Sequence, residues 1–464
     1  MSTINYRNKT SFGPLLLLVA LLAALPLFVN LAQQAWRLFT KASTVPANII
    51  VNLDRPEGEL PRPWAGIAQG GELNRDKNGI ISISSYGPKL RDMGIKYVRL
   101  DHVFTRPREE LRRELAMIKA IGATPVISLS YFPKNVSKAD TAYPYDWGQW
   151  STTVTGLVNE ISRQFDGVYY EVWNEPDGKT FGGWSPNSYL ELYRRTVAAV
   201  QTVQNVKTFK IGGPSLADPN NRRWVETFLN GVDDQNLRMD FVSWHRYHRD
   251  PKVFLKDLEM MESLLATHPD YVMAEKIITE WGTDPGVSAN HYGIYDAAHF
   301  AAVARQLIGR VDLATKFEIR DGIWTNDLLF GVKEIKAGEG LGVYTYDGQP
   351  KPLAAVMGLL GQVRGTKINL MGEGSNVTGF AAQDRQATRI LLVNFEKSRV
   401  DVENVPVTIL GLAPGTYTLN KNIVDKYNPY NREEKVTLVL PDGRLSFNQL
   451  MLPDSVVLLS IYTQ

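Results

Sequence analysis

The most restrictive feature of this 464-residue sequence is a regular alternation of strand-like and helix-like segments between Trp64 and Val363. Short runs rich in β-branched and aromatic residues recur, and segments with a helical apolar period separate them. Strands that alternate with helices form parallel sheets, because a parallel connection must cross over the sheet. Eight strands are predicted: Trp64–Gln69, Lys96–Asp101, Thr124–Tyr131, Val168–Glu175, Lys210–Ala217, Asp240–Tyr247, Lys276–Trp281 and Ala314–Asp321.

The number of strand–helix units indicates how the sheet is arranged. Eight units predict an α/β fold, a closed (β/α)8 TIM barrel that spans residues 61–364. An open, doubly wound sheet is the alternative, but no Gly-rich phosphate-binding turn follows the first strand. The predicted helices include Arg108–Ile121, Trp150–Phe165, Ser188–Val203, Tyr295–Gly309 and Leu353–Val363.

Beyond Gly365 the pattern changes to short alternating segments separated by turns such as Pro414-Gly415. No helix-length apolar period interrupts them, which predicts a C-terminal β-sandwich over residues 365–464. One further strand, Ala47–Leu53, is predicted in the 37–60 linker, and it could pair into the sandwich. The predicted C-terminal strands are Asn376–Ala382, Ala387–Asn394, Val405–Leu410, Lys435–Leu440, Arg444–Leu450 and Ser455–Tyr462.

The N-terminal residues have the pattern of a membrane anchor. Ser11–Trp36 contains no charged residue, and Leu15–Val29 is continuously apolar. This length reaches the roughly 20 residues that cross a bilayer as a helix. We therefore expect residues 1–36 to form an uncleaved transmembrane helix, with the body of the protein outside the cytoplasm. A cleaved signal peptide, followed by secretion, is the alternative, although residues 30–35 form a poor cleavage site.

Composition sets limits on partners and cofactors. Apolar residues make up 44% of the chain and charged residues 22%, as in a globular protein. The net charge of +2 gives no reason to expect a nucleic acid partner. The sequence has no cysteine, which excludes a thiol nucleophile. His245 and His248 have a metal-like spacing but no accompanying carboxylate cluster in the sequence, so no metal and no cofactor are predicted.

Two glutamates occupy the ends of predicted barrel strands. Glu175 ends the fourth strand, between Asn174 and Pro176, and Glu280 ends the seventh. Catalytic groups of a (β/α)8 barrel lie at the C-terminal ends of its strands. Two carboxylates there can flank a sugar–sugar bond, one protonating the leaving oxygen and the other attacking the anomeric carbon. The sequence therefore predicts a glycosidase.

The motifs around the two glutamates resemble those of clan A retaining glycoside hydrolases. Glu-Val-Trp-Asn-Glu-Pro at 171–176 resembles the acid/base motif, and Ile-Thr-Glu-Trp-Gly at 278–282 resembles the nucleophile motif. Gly-Gly-Pro-Ser at 212–215, Ser-Trp-His-Arg-Tyr at 243–247 and the trailing sandwich are most similar to family 39. That family includes β-xylosidases, α-L-iduronidases and bacterial exopolysaccharide hydrolases. The resemblance extends from the first barrel strand to the C-terminus.

The resemblance implies a role for each conspicuous side chain at the strand ends. Glu175 is expected to be the acid/base and Glu280 the nucleophile. Asn174 is expected to hydrogen-bond the 2-hydroxyl of the sugar, while Arg99 and Tyr247 keep the nucleophile ionised. Further candidates for the substrate-binding set are His245, Trp281, Asp321, Trp324 and Tyr131.

Aromatic residues near the strand ends are candidate stacking platforms for sugar rings. They are Tyr131, Trp184, Trp281 and Trp324. The eighth strand departs from the family pattern, because 317–321 offers no tryptophan at its end.

Together these features predict a membrane-tethered retaining glycoside hydrolase that acts on a polysaccharide outside the cytoplasm. An endo-acting exopolysaccharide hydrolase is favoured over an exo-acting β-xylosidase, since a tethered enzyme suits chains that emerge from the membrane. A non-catalytic carbohydrate-binding or scaffold protein on the same fold is one alternative, and a transglycosylase is another. The sequence names neither the sugar, nor the anomer, nor the oligomeric state.

Overall fold

The computed structural model describes residues 45–70, 75–76, 79–80, 83–322, 338–398 and 401–463, with the backbone alone at 75–76 and 79–80. The predicted membrane anchor, residues 1–36, lies outside these residues, as does Trp324. No helix within them is long and apolar enough to cross a membrane. The described residues from Ala47 onward form one compact unit.

Eight parallel strands form a closed barrel, which confirms the predicted architecture. Each strand pairs with the next along the chain, and the last pairs with the first, where Phe317 lies opposite Ala68. These strands are buried on both faces, and their sequences are therefore nearly continuous apolar runs. Strand β1 (Ile49–Glu59) precedes the barrel, whose strands are β2 (Gly66–Gln69), β3 (Tyr97–Leu100), β4 (Thr124–Leu129), β5 (Val168–Val172), β6 (Phe209–Leu216), β7 (Phe241–Tyr247), β8 (Glu275–Gly282) and β9 (Leu313–Phe317).

Helices cover the outside of the barrel. The helices that begin at Trp147 and Pro186 start three and two residues earlier than predicted, because the residues just before them cap these helices. The Asp146 carboxylate accepts the Gln149 N–H at 2.9 Å, and Ser185 precedes a proline that favours the first helical turn. The helices are α1 (Gly87–Asp92), α2 (Arg108–Ala120), α3 (Trp147–Ser162), α4 (Pro186–Gln201), α5 (Arg222–Asp234), α6 (Lys252–Leu265), α7 (Ile294–Leu307) and α8 (Pro352–Gln362).

An apolar layer crosses the interior of the barrel near the start of the strands, and the charged groups of the site lie closer to the ends of the strands. Near the start of the strands, side chains from five strands form a small buried cluster: Val126, Tyr169, Phe241, Ile277 and Leu313. Side chains two residues further along a strand face the same side. Glu171 therefore lies above Tyr169 inside the barrel, and the polar site begins at this level.

The C-terminal strands form a large β-sheet. Its order is β15-β14-β17-β12-β11-β10-β1-β13-β16, and every neighbouring pair is antiparallel except β1 with β13. The strands are β10 (Thr366–Met371), β11 (Val377–Gln383), β12 (Thr388–Asn394), β13 (Glu403–Leu410), β14 (Gly415–Asp425), β15 (Asn428–Leu440), β16 (Leu445–Met451) and β17 (Ser455–Thr463).

Strand β1 joins these strands into one sheet where two sheets of a sandwich were expected. Its residue Val51 pairs with Leu370 on one side and with Ile409 on the other. All nine strands contribute to one apolar cluster, so the sheet curves around a shared core. The strand before the barrel, which the sequence indicated could pair into the sandwich, thus lies within the C-terminal sheet.

Candidate active site

A β-bulge in strand β8 turns Glu280 into the barrel. Ile278 lies opposite Trp244 of β7, and Glu280 lies opposite the next residue, His245, so β8 carries one extra residue between them. Alternation from Ile277 and Thr279 alone would point the residue at 281 inward. The bulge shifts this pattern by one residue and directs Glu280 to the interior instead.

The Glu280 carboxylate is buried and accepts two hydrogen bonds. Arg99 Nη1 lies 2.8 Å from Oε1, and the Tyr247 hydroxyl lies 3.0 Å from Oε2. Burial raises the pKa of Glu280, and the nearby positive charges of His245 and Arg99 only partly oppose this effect. The two donors hold the carboxylate in one orientation.

Glu175 lies in the loop that follows β5. The strand ends at Val172, earlier than predicted, because Trp173 has φ of 73° and Glu175 has φ of 47°. This left-handed region is costly for residues other than glycine, and local hydrogen bonds hold the loop there. The Glu175 N–H donates to the Ser215 carbonyl at 2.9 Å, and the Gly178 N–H donates to the Glu175 carbonyl at 2.9 Å.

His245 connects the two glutamates. Its Nδ1 lies 2.8 Å from Glu175 Oε1 and 3.6 Å from Glu280 Oε2, and its Nε2 lies 2.8 Å from Ser215 Oγ. Burial alone would lower the pKa of His245, but the negative charge of Glu280 and the hydrogen bond to Glu175 outweigh it and raise that pKa. A protonated imidazole donates from both nitrogens, so His245 fits between the carboxylate and the hydroxyl.

Arg99 organises the interior side of the site. Its Nε lies 2.9 Å from Glu171 Oε2, and its Nη2 lies 2.7 Å from Asn174 Oδ1. Burial would lower the pKa of Arg99, but Glu171 and Glu280 keep it above the usual value. One buried cation therefore fixes a structural carboxylate, an amide and the candidate nucleophile.

Asn174 also hydrogen-bonds Tyr131, which lies next to this network. The Asn174 Nδ2 donates to the Tyr131 hydroxyl at 2.9 Å, so both ends of the amide have a partner and its orientation is fixed. Tyr131 is fully buried, and its ring stacks on Phe181 at 5.9 Å. Tyr131 thus holds Asn174 in place without lining the cavity, whereas Phe181 does line it.

These groups open onto a cavity of about 420 Å³ at the C-terminal ends of the barrel strands. Asn174, Glu175, Tyr247 and Glu280 line it. Arg99, His245 and Tyr131 lie behind this wall and contact the lining residues. The structure therefore brings together six of the predicted residues, with Tyr131 as a support.

Three predicted binding residues within the described part of the chain do not present a side chain to the cavity. Trp281 is fully buried outside the barrel, where its ring stacks on Phe300 of α7 at 5.0 Å, because the bulge turns it away. Asp321 lies beyond the end of β9, and its Oδ1 is 2.8 Å from Lys351 Nζ. Trp184 is buried against Trp173 at 5.0 Å. The expectation that these residues contact a sugar is corrected accordingly.

The cavity also contains residues that the sequence analysis missed. Asp101 and His102 line it directly after β3, and the Asp101 Oδ1 lies 3.0 Å from the His102 Nδ1. Burial would raise the pKa of Asp101, but His102 and Arg99 outweigh it and lower that pKa. The same rule that identified Glu175, a polar residue at the end of a barrel strand, applies to this pair.

Glu175, His245 and Glu280 also form a group that could hold a cation. One ligand atom from each lies within 4.8 Å of the others, and this is the sole such group among the described residues. The spacing of His245 and His248 in the sequence does not reveal this group, because its carboxylates come from other strands. The adjacent Arg99 cation and the raised pKa of His245 both oppose metal binding, since a histidine ligand must be neutral. The donor set thus fits proton transfer better than metal ligation.

Comparison with known proteins is consistent with this geometry. Residues 72–436 match the family described as Glycosyl hydrolases family 39. A β-xylosidase from Caldicellulosiruptor saccharolyticus is 24% identical over 404 residues, which cover 78% of each chain. A monomeric β-xylosidase from Caulobacter crescentus CB15 superposes with a TM-score of 0.74 at 19% identity, covering 90% of this chain and 99% of that one. A GH39 enzyme from Xanthomonas axonopodis pv. citri gives 0.75 at 17% identity, with coverage of 90% and 98%.

Proposed function

Because this chain belongs to glycosyl hydrolases family 39 and is therefore a glycosidase, we propose that it cleaves O-glycosidic bonds with retention of configuration, through Glu280 and Glu175. The observation that carries the proposal is the short separation of these carboxylates, whose ligand oxygens lie within 4.8 Å of each other. Retaining enzymes place the two carboxyl groups about 5–5.5 Å apart, whereas inverting enzymes leave room for a water between them.

In the first step, the ionised Glu280 carboxylate attacks the anomeric carbon while Glu175 transfers its proton to the glycosidic oxygen. The bond to the leaving group breaks, the leaving group departs as an alcohol, and an ester joins the sugar to Glu280. Arg99 and Tyr247 hold the attacking carboxylate in place. Asn174 is fixed by two partners and retains one amide hydrogen that can reach the 2-hydroxyl.

In the second step, the Glu175 carboxylate accepts a proton from water as the water attacks the anomeric carbon and the ester bond to Glu280 breaks. This restores both glutamates to their initial protonation states. His245 donates to Glu175 in the ionised state that follows the first step. If a sugar hydroxyl replaces the water, the same intermediate gives transglycosylation, and product analysis distinguishes the two outcomes.

Covalent trapping tests the assignment. A 2-fluoro glycoside with a good leaving group should label wild-type protein at Glu280, and E280Q should resist labelling. Peptide mass spectrometry locates the label, and a label on any other carboxylate would contradict the proposal. Activity of Glu175→Ala on an activated substrate should be partly restored by azide, which needs no general base. A protein that binds carbohydrate without labelling or turnover would instead support the scaffold alternative.

For the substrate, we propose an extracellular polysaccharide that is cleaved internally. The apolar N-terminal pattern supports this setting, since a tethered enzyme meets polymers at the cell surface. The predicted stacking platforms give no support, because the described ones are buried. The relatives named β-xylosidases make an aryl or short β-xyloside the second candidate. Rapid loss of polymer viscosity with slow release of monosaccharide supports the first, and release of single sugars alone contradicts it.

We also propose that the protein is held at the membrane through residues 1–36, with the catalytic body outside the cytoplasm. Cell fractionation and N-terminal sequencing test this directly. The proposal expects the protein to pellet with membranes and to retain residues close to Met1. A soluble mature form that begins near Ala32 or Ala35 would show that the segment is a signal peptide.

A further inference from the structure

A second carboxylate lies close to Glu175 in the sequence and hydrogen-bonds the backbone of two residues that line the cavity. Asp177 is two residues beyond Glu175, and its Oδ1 accepts the Ala217 N–H at 2.9 Å while its Oδ2 accepts the Asp218 N–H at 3.0 Å. Ala217 and Asp218 follow the end of β6 and line the cavity. Asp177 thus joins the loop after β5 to the loop after β6.

A third hydrogen bond reinforces this connection. The Glu175 N–H donates to the Ser215 carbonyl at 2.9 Å, and the Ser215 hydroxyl contacts His245, the partner of the Glu175 carboxylate. Glu175 and Ser215 both have positive φ, 47° and 58°. Such backbone conformations persist only where surrounding contacts hold them. The Asp177 carboxylate supplies two of those contacts.

We propose that Asp177 is a positioning residue, whose ionised carboxylate fixes the Glu175 loop against the end of β6 so that the Glu175 side chain reaches the glycosidic oxygen. The inference rests on the proposed acid/base role of Glu175. Only a carboxylate can accept both backbone N–H groups. An asparagine offers one acceptor and places its NH₂ against the second N–H, which then loses its bond to this side chain.

Asp166 provides a matched control on the same two strands. It precedes β5, and its Oδ1 accepts the Thr208 N–H at 3.0 Å and the Thr208 hydroxyl at 2.7 Å just before β6. Asp166 therefore connects the starts of β5 and β6 as Asp177 connects their ends. D166N removes the charge but keeps the one oxygen that accepts both bonds. D177N removes the charge and one of two accepting oxygens, and only this change lies beside the acid/base.

The experiment compares D177N with D166N on phenyl and 2,4-dinitrophenyl β-xyloside, or on aryl glycosides of the sugar that labels Glu280 if xylosides are not cleaved. A phenolate leaving group needs protonation and dinitrophenolate does not. Because kcat/KM reports the glycosylation step, D177N should lose about tenfold or more on the phenyl substrate, since misplacing a catalytic group by 1 Å costs up to about a hundredfold. On the dinitrophenyl substrate it should stay within about threefold of wild type. D166N should show the same ratio of the two substrates as wild type.

Equal losses on both substrates, or the same change of ratio in D166N, would overturn the proposal and leave Asp177 a structural role alone. Thermal unfolding establishes that the variants are folded. If D177N does not fold, Asp177→Glu keeps the charge while displacing the carboxylate, and it should show the same selective loss in smaller degree. Glu175→Ala separates the two levels of inference. If that variant lacks a leaving-group dependence, the acid/base assignment fails and the proposal for Asp177 fails with it. If Glu175→Ala shows the dependence and D177N does not, only the positioning by Asp177 fails.

Discussion

Strand β8 carries a glutamate near each end, and the two have the same kinds of partner. Glu275, at the start of the strand, accepts hydrogen bonds from Lys210 and from the Tyr169 hydroxyl, the latter at 2.7 Å. Glu280, near its end, accepts from Arg99 at 2.8 Å and from Tyr247 at 3.0 Å. Each set is a glutamate, a cation and a tyrosine.

The two sets differ in their exposure to solvent and in the ionisable groups that lie nearby. The side chains of Lys210 and Glu275 are 36% and 28% exposed, whereas those of Arg99 and Glu280 are 1% and 10% exposed. A second carboxylate and a histidine converge only on Glu280 among the described residues. Burial strengthens electrostatic interactions, and a neighbouring acid supplies the proton that glycoside cleavage needs. The partner types alone therefore do not identify a catalytic glutamate.

The largest expected difference follows from replacing each glutamate with glutamine. Glu280→Gln removes the proposed nucleophile and should lower kcat/KM by more than about a thousandfold. Glu275→Gln removes a partly exposed ion pair at the opposite end of β8 and should leave kcat/KM within about twofold, since pairs open to solvent are worth about 1 kcal/mol or less. Steady-state kinetics on an aryl glycoside measures both. Comparable losses in the two variants would mean that Glu280 contributes structure and not chemistry.

Replacing the cation of each set should lower the free energy of unfolding by different amounts at the two ends of β8. Arg99→Met leaves Glu171 and Glu280 buried without their counter-ion, which should cost about 3–5 kcal/mol in the free energy of unfolding. Lys210→Met at the partly exposed set should cost about 1 kcal/mol. Denaturant titration of both variants gives the comparison. A loss below about 1 kcal/mol for Arg99→Met would indicate that water reaches the buried network.

Replacing the tyrosine of each set should give a smaller difference in kcat/KM, again with the larger loss at Glu280. Tyr247→Phe removes one hydrogen bond to the ionised Glu280, and bonds to charged groups are worth about 1.5–3 kcal/mol. We therefore expect kcat/KM to fall about tenfold or more. Tyr169→Phe removes the corresponding bond to Glu275 and should leave kcat/KM unchanged. Matching losses would assign the effect to barrel stability, which thermal unfolding measures separately.

Much of the site could be predicted because its signals are local. Each barrel strand is recognisable from its own residues, and a polar side chain at the C-terminal end of such a strand points toward chemistry. This rule is sufficient to find Glu175, Glu280, Arg99 and Tyr247. It applies equally to Asp101 and His102, which lie outside the motifs that resemble a known family.

The errors came from features that depend on neighbouring strands. Trp281 directly follows Glu280, and only the register between β7 and β8 reveals the bulge that turns it outward. Asp321 looked like the end of a strand, but β9 ends at Phe317 and Lys351 from a distant segment pairs with Asp321. The single sheet likewise depends on β1, which reaches partners more than 300 residues away. None of these contacts leaves a pattern within the local sequence.

The smallest expected effect is a displacement along the pH axis. Burial raises the pKa of Glu280 despite His245 and Arg99, and the proposed mechanism needs this group ionised. The active form is lost as pH falls through the pKa of the folded protein, so the acid limb of kcat/KM should lie above the value near 4.3 that is typical of an exposed glutamate. Tyr247→Phe removes a donor to the carboxylate and should move this limb to still higher pH. Tyr169→Phe should leave it in place, because Glu275 lies at the other end of β8 and does not line the cavity. A wild-type limb at the ordinary position, unmoved by Tyr247→Phe, would mean that the two ends of β8 differ less in burial than the structure indicates.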